Sequence, residues 1–418
     1  MEPSMLNFTL IKNIFYLFIV QIINYVAPFL VLPYLSRVLS VDNFGLLMMI
    51  ISASSIALIV TDYGFSLSGP LFVAVNKHNK VVINQYIGTI YLIKSVLISI
   101  IWFLFLFIYF ISDNEITSHF SNILWLGVII TTQSFQPIWF FQGLEKMKNI
   151  TFSLIISKSV YVILIFCLVK TNHVERVFLA LVLSNVVTLV ISNYLLYRNG
   201  YAIGTPCNKL FRDEIKNSFP FFLSRAAVGV YTSASTFIVG SFAGLNQAAV
   251  YSSAEKLYQA GQNALSPISQ ALYPYLARSG DKKTLYKFVV LFFILLCMIC
   301  ILSSYYSNTI VMLFFGNKYN AASQVLNVFL LSLVITFVSF NFGYPAFAAI
   351  KRVQIVNYTV VLGGGLQLLM IIILIVSEKI TPLNMARSVL FTETLVLISR
   401  LGLYFYLILK NDNVSGLK

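Results

Sequence analysis

The chain has 418 residues, of which 59% are hydrophobic and 10% charged, and its mean hydropathy is +0.86. A water-soluble domain of this composition would expose large apolar patches, so lipid is the solvent for most of the chain. The formal net charge of +14 has to be explained within that setting before it is read as a nucleic-acid footprint.

A bilayer crossing takes about 20 mostly apolar residues. In the first half, hydropathy and polar breaks predict spans near 11–39, 44–75, 82–111, 120–142, 150–169 and 177–197. The second half has them near 218–243, 248–277, 285–307, 322–350, 355–377 and 384–409. The first apolar run, from Ile14 to about Leu39, is too long for a signal-peptide core and has no small-residue cleavage site, so it reads as an anchor that stays. Pro28, Pro33, Pro137, Pro267 and Pro345 fall inside spans, where each removes a backbone hydrogen bond and permits a kink. Gly363-Gly364-Gly365 in the eleventh span reads as a packing feature first and a flexible point second, and Trp102, Trp125 and Trp139 fall toward span ends, as an interfacial belt would place them. Cys297 and Cys300 lie within an apolar run and read as packing. His78, His119 and His173 fall in polar breaks, so neither a metal cluster nor a cofactor is expected.

Charge sets the topology. With the N-terminus inside, seventeen Lys and Arg residues fall on the cytoplasmic side of the spans, and five fall opposite: Arg37, Lys170, Arg176, Lys318 and Lys379. That asymmetry obeys the positive-inside rule and puts both termini in the cytoplasm. It also makes much of the net charge a topology signal, with no nucleic-acid partner implied. Phe44-Gly45-Leu46-Leu47 and Ala248-Ala249-Val250-Tyr251 open the second and eighth spans at an offset of 204, which also superposes Pro70 on Pro274. The expected fold is an all-α polytopic membrane protein of about twelve transmembrane helices. Two six-helix lobes, 1–205 and 206–418, would be related by a pseudo-two-fold axis along the membrane normal. The polar stretch Arg198 to Ser218, with Gly200, Gly204 and Pro206, reads as the cytoplasmic linker.

Six basic residues remain inside spans, Lys94, Lys158, Arg225, Lys256, Arg387 and Arg400, against three acids, Asp62, Glu255 and Glu393. A charge at a span centre costs roughly 2.5–3.5 kcal/mol on insertion scales, so such residues face a partner or a watery cavity. Lys94 lies near the midplane. Lys158 and Arg225 sit less than three turns from the cytoplasmic face, and Arg387 is placed as an interfacial anchor. In the eighth span Glu255, Gln259 and Gln262 recur at helical spacing beside Lys256 and Asn263, a polar face wide enough to line a cavity. Gln21, Asn24, Gln133 and Gln136 extend the polar inventory, and Glu255 beside Lys256 reads as a simple ion pair. The excess of buried base favours an anionic cargo.

The run from Pro33 to Gly45 (Pro-Tyr-Leu-Ser-Arg-Val-Leu-Ser-Val-Asp-Asn-Phe-Gly) and Asp62-Tyr63-Gly64-Phe65 carry a family resemblance. So do the stretch from Trp139 to Met147 and the stretch from Tyr251 to Leu257. Over essentially its full length the chain resembles the polysaccharide-transport branch of the multidrug/oligosaccharidyl-lipid/polysaccharide flippase superfamily, the O-antigen flippases. It departs from the usual pattern at Ser40 and Ala249, where glycine is common.

The resemblance implies a bacterial inner-membrane flippase, not an enzyme. Its cargo would be undecaprenyl-pyrophosphate-linked O-antigen repeat units, carried from the cytoplasmic to the periplasmic leaflet by alternating access. Lys94, Lys158, Arg225, Lys256, Gln259 and Asn24 are then the expected head-group and sugar contacts, and Arg37 and Asp42 the expected gate residues. Asp62, Glu255 and Glu393 are expected to bind a coupling H+ or Na+, or to pair with the bases. Beyond the cargo and membrane lipid, a polysaccharide polymerase and a chain-length regulator are the partners to look for. The alternatives are a drug/cation antiporter of the same superfamily, which would favour acidic sites, and a membrane-embedded polymerase or ligase, which calls for a large periplasmic loop.

Overall fold

A computed structural model describes residues 16, 19, 23, 26–111 and 119–415, and every regular element among them is a helix. Nine of these helical stretches are long and apolar enough to cross a membrane, and they coincide with nine of the expected spans to within a few residues. Val26–Val38 (α1) and Ser233–Ala243 are shorter apolar stretches. The predicted eighth span is the helix Leu245–Ser279, whose polar face keeps it outside the hydropathy criterion.

Two compact units are present, Met1–Gly229 and Val230–Lys418. The first holds α1, Val41–Asp62 (α2), Phe65–Val75 (α3), Lys80–Ile111 (α4), Phe120–Ser134 (α5), Ile138–Gly143 (α6), Met147–Leu168 (α7) and Val174–Arg198 (α8). Asn208–Ala243 (α9) begins in the first unit and ends in the second. The second unit continues with Leu245–Ser279 (α10), Lys282–Tyr305 (α11), Ser307–Phe315 (α12), Ala322–Asn341 (α13), Tyr344–Ala349 (α14), Gln354–Val376 (α15) and Pro382–Ser415 (α16).

Several spans are interrupted. The second breaks at Tyr63 and Gly64, both left-handed with φ of 46° and 86°. Glycine is required at 64 twice over, because a Cβ there would also lie 2.8 Å from the Ser218 carbonyl oxygen. The fourth span breaks over Phe135-Gln136-Pro137, where proline supplies no N–H for the ladder. The tenth breaks at Phe342 and Gly343, with Pro345 in the first turn of α14. Pro28 and Pro33, by contrast, sit inside the helical α1, and Gly363-Gly364-Gly365 inside the unbroken α15.

In the first unit α2 packs on α5, α3 on α6, and α7 on α8. Their core joins Phe65, Val73, Tyr86, Ile90, Trp139 and Phe140. Trp139 therefore belongs to that core and not to an interfacial belt: it is 3% exposed and stands edge-on to Tyr86. In the second unit α13 packs against α10 and α16, and Leu272, Phe342, Phe347 and Tyr404 meet beneath them. Phe103, Phe107, Phe110, Leu291 and Ile301 are exposed on long apolar helices, as lipid-facing side chains are.

The stretch expected as a polar linker is divided. Residues 199–207 lie against α4: Gly204 N–H donates to Asn84 O at 2.9 Å, Ala202 N–H to Asn84 Oδ1 at 2.9 Å, and Cys207 N–H to Thr89 Oγ1 at 3.2 Å. From Asn208 the chain is already helical, ten residues before the predicted span, because Glu214 and Ser218 have buried partners on α3. Ser68 and Ser218 hydroxyls each donate to Glu214 Oε1 at 2.6 Å, and the two hydroxyls are 2.8 Å apart.

Candidate functional site

The breaks gather the buried polar groups of the first unit. Asp62 closes α2 and accepts from the Ser66 hydroxyl on α3 at 2.7 Å. Lys94 reaches from α4, 4% exposed, and its Nζ donates to the Ser134 carbonyl at the end of α5 at 2.7 Å. The Ser134 hydroxyl meets Thr61 Oγ1 at 2.8 Å. Farther along the broken fourth span, Gln133 Nε2 donates to Asn185 Oδ1 at 3.4 Å, while Tyr91 donates to Asn193 Oδ1 at 2.8 Å. Lys158 is half-buried on α7 and Arg225 is exposed on α9. Asn24 and Gln21 lie outside the described residues.

In the second unit the polar face of α10 divides its partners. Glu255 is buried and accepts from Thr236 Oγ1 at 2.7 Å, whereas half-buried Lys256 donates to Gln259 Oε1 at 3.0 Å. The adjacent acid and base thus take separate hydrogen-bond partners, as side chains pointing to different sides of one helix must. Gln262 Nε2 donates to the Tyr258 hydroxyl at 2.8 Å, and that hydroxyl meets Thr336 Oγ1 at 2.9 Å. Lys256, Gln259, Gln262 and Asn263 form the half-buried part of the face.

A second buried centre surrounds Arg400, which is 6% exposed. Its Nε donates to Thr359 Oγ1 at 3.0 Å, and its Nη1 to Ser339 O at 2.8 Å and Ser339 Oγ at 2.9 Å. Glu393, two turns back on α16, is 2% exposed. Its Oε1 has no hydrogen-bond partner among the described residues. Arg387 is exposed and its Nη1 donates to Asn384 Oδ1.

The expected gate residues are both exposed. Arg37 donates from Nη1 to Pro33 O at 2.7 Å, and Asp42 lies in the first turn of α2. Asn172 ties that turn down by accepting from Ser40 N–H at 2.6 Å and from Asn43 Nδ2 at 2.9 Å.

The polar members missed by sequence reasoning are Asn185, Asn193, Thr359, Ser339 and Gln367. Gln367 donates to Ser388 Oγ at 3.2 Å and accepts from Thr392 Oγ1 at 2.8 Å. The recurrence of Asn185, Thr188 and Ser192 along one buried face of α8 was the available signal.

Residues 10–279 match the family model described as "Polysaccharide biosynthesis protein". The chain belongs to that family. A protein of Shigella dysenteriae named "Putative O-antigen transporter" is 33% identical over 273 residues, 64% of this chain and 67% of that protein. A protein of the same name from Escherichia coli (strain K12) is 30% identical over 268 residues, 63% of this chain and 64% of its own length. The chain thus spans about two thirds of these polysaccharide biosynthesis relatives. Its fold is similar to the inward-facing conformation of a multidrug resistance MATE family transporter of the MOP superfamily, with a TM-score of 0.71 at 13% identity. That likeness covers 94% of this chain and 96% of the other, which extends the shared fold past residue 279 into the second unit.

Proposed function

We propose that this member of the polysaccharide biosynthesis family is a flippase. It carries undecaprenyl-pyrophosphate-linked oligosaccharide repeat units from the cytoplasmic to the periplasmic leaflet of the inner membrane by alternating access. Both termini lie in the cytoplasm, and about twelve spans form two six-helix lobes. The observation that carries the reading is the excess of basic side chains within the spans of a chain whose relatives are named as O-antigen transporters.

A pyrophosphate head group loses its hydration when it enters a membrane protein, so it needs fixed positive charge in return. Lys158, Arg225 and Lys256 supply it. Arg225 can fork two hydrogen bonds onto phosphate oxygens, and Lys256, with one donor on Gln259, keeps two more. Asn24 and Gln259 serve the sugars. Lys94 has its ammonium engaged on Ser134 and takes another part, argued below. Arg37 and Asp42 act as the periplasmic gate. Glu255 and Glu393, buried carboxylates on different helices, and Asp62 are the residues through which H+ or Na+ coupling operates.

The same carboxylates are the one observation in favour of a drug/cation antiporter. Deleting the gene and locating the lipid-linked units distinguishes the two. The flippase reading expects intact units to build up in the cytoplasmic leaflet and surface polysaccharide to be lost. Unchanged surface polysaccharide, with heightened sensitivity to cationic drugs, would refute it. Units stranded in the periplasmic leaflet would refute it too, in favour of a polymerase.

A further inference from the structure

The fourth and tenth spans are interrupted in the same chemical way. In an unbroken helix the Ser134 carbonyl would accept from Ile138 N–H, but that N–H donates to Gln136 O at 3.0 Å. Likewise the Ser339 carbonyl would accept from Gly343 N–H, which instead donates to Phe340 O at 3.1 Å. Each break therefore frees a carbonyl at the C-terminal, negative end of a half-helix, buried from water. Oxygen ligands crowd around each. At the first are the Thr61 and Ser134 hydroxyls, and at the second the Ser339 and Thr359 hydroxyls; Asp62 follows Thr61 in the chain and buried Glu393 lies two turns before Arg400 on α16. Carbonyl, hydroxyl and carboxylate oxygens at an unwound helix are the ligands that bind alkali cations in transporters.

In this chain a side chain stands there. Lys94 Nζ is 2.7 Å from Ser134 O, and Arg400 Nη1 is 2.8 Å from Ser339 O. At an offset of 205 residues Ser134-Phe135 falls on Ser339-Phe340, yet Lys94 falls on Ile299 and Arg400 on Leu195. The two breaks correspond in sequence, whereas the bases that fill them come from helices that do not. Common descent of the two halves would have given one base in one place. A requirement for positive charge at the break explains two bases from two places.

We propose that Lys94 and Arg400 are built-in cations, each occupying an oxygen-lined site at a broken helix that would otherwise take a sodium or potassium ion. These two centres then work without a free metal ion, which leaves H+ as the ion coupled through Asp62 and Glu393 and Glu255 as the place for Na+, and each base holds its half-helices together through whatever motion the break permits. The proposal does not depend on the identity of the cargo.

The test uses the full chain in lipid nanodiscs, with thermal midpoints measured in sodium, potassium and N-methyl-D-glucamine chloride at equal ionic strength. The wild type sets the baseline difference among the salts. Arg400→Met should melt several degrees higher in sodium or potassium than in the bulky cation, beyond that baseline, and adding Glu393→Gln should remove the gain. Lys94→Met should acquire the same dependence and lose it with Asp62→Asn. Midpoints of Arg400→Met and Lys94→Met that follow the wild-type baseline would overturn the proposal. A response at one break alone would overturn it for the other. If Arg400→Met does not fold in any salt while Glu393→Gln/Arg400→Met does, no free ion takes the vacated place and the proposal fails. It fails equally if neither folds, since Arg400 would then act by packing.

Discussion

Substituting Gly88 should loosen the segment that follows the sixth span. Gly88 lies in α4 where residues 199–207 cross it, and a Cβ placed there would sit 1.9 Å from the Gly204 carbonyl oxygen and 2.9 Å from its carbonyl carbon. Both obstacles are backbone, so no rotamer can relieve the clash, and the segment must retreat by more than an ångström. Retreat breaks the bonds from Gly204 and Ala202 to Asn84 and from Cys207 to Thr89. At a net ~0.5–1.5 kcal/mol each, losing all three costs about 1.5–4.5 kcal/mol. Squeezing the methyl in without retreat costs a similar ~1–3 kcal/mol. Gly88→Ala should therefore lower the thermal midpoint of the purified protein by several degrees, read by intrinsic fluorescence. Gly365→Ala, where a Cβ meets nothing within 4 Å, is the control, and should hold or raise the midpoint because alanine is the better helix former by ~1 kcal/mol. A Gly88→Ala protein as stable as that control would refute the close approach and the docking of residues 199–207 with it.

The start of α9 gives a second prediction: Glu214→Ala removes the acceptor shared by Ser68 and Ser218 and should cost ~1–3 kcal/mol, while Glu214→Gln keeps an oxygen and should recover much of the loss in the same melting assay. Gln367→Leu deletes two bonds between α15 and α16. At ~0.6 kcal/mol per interhelical bond the loss is about 1 kcal/mol, a shift of the midpoint smaller than that of Gly88→Ala. Asp281, at the start of α11, is held below the ordinary carboxylate range by the Thr284 hydroxyl and N–H, with further help from Lys283. Its contribution is complete above that ordinary range and is lost as pH falls through the depressed pKa. Asp281→Asn should therefore flatten the acid limb of a midpoint-versus-pH curve, and an unchanged limb would contradict the cap.

Spans were the legible part of the sequence, because twenty apolar residues in a row leave a helix few alternatives in lipid. Charges within them were legible for the same reason: each stands against an apolar background. Their partners were not. What decides the surroundings of Arg400 is Thr359 and Ser339, 41 and 61 residues away in sequence. Serine and threonine are so common in membrane helices that neither stands out. Of the breaks, Pro137 announced the fourth-span interruption, but the one at Tyr63-Gly64 rests on left-handed backbone that a lone glycine does not signal. Trp139 misled for a related reason: nearness to a span end in sequence suggested the interface, whereas α6 turns the ring inward over Gly69. The polar residues at 208–218 looked like linker because Glu214 and Ser218 are satisfied by Ser68, far away in sequence.

The central claim, that basic side chains in the spans carry a pyrophosphate-linked oligosaccharide across the bilayer, is tested most directly in proteoliposomes. A lipid-linked repeat unit with a labelled sugar is placed in one leaflet, and its appearance in the other is followed with a membrane-impermeant reagent. The wild-type protein should raise the crossing rate well above that of protein-free vesicles, and Arg225→Gln and Lys256→Gln should each cut it by roughly tenfold or more, the loss of a ~1.5–3 kcal/mol charged hydrogen bond. A wild-type rate equal to that of protein-free vesicles, or variants that move the unit at the wild-type rate with equal protein incorporated, would contradict the account.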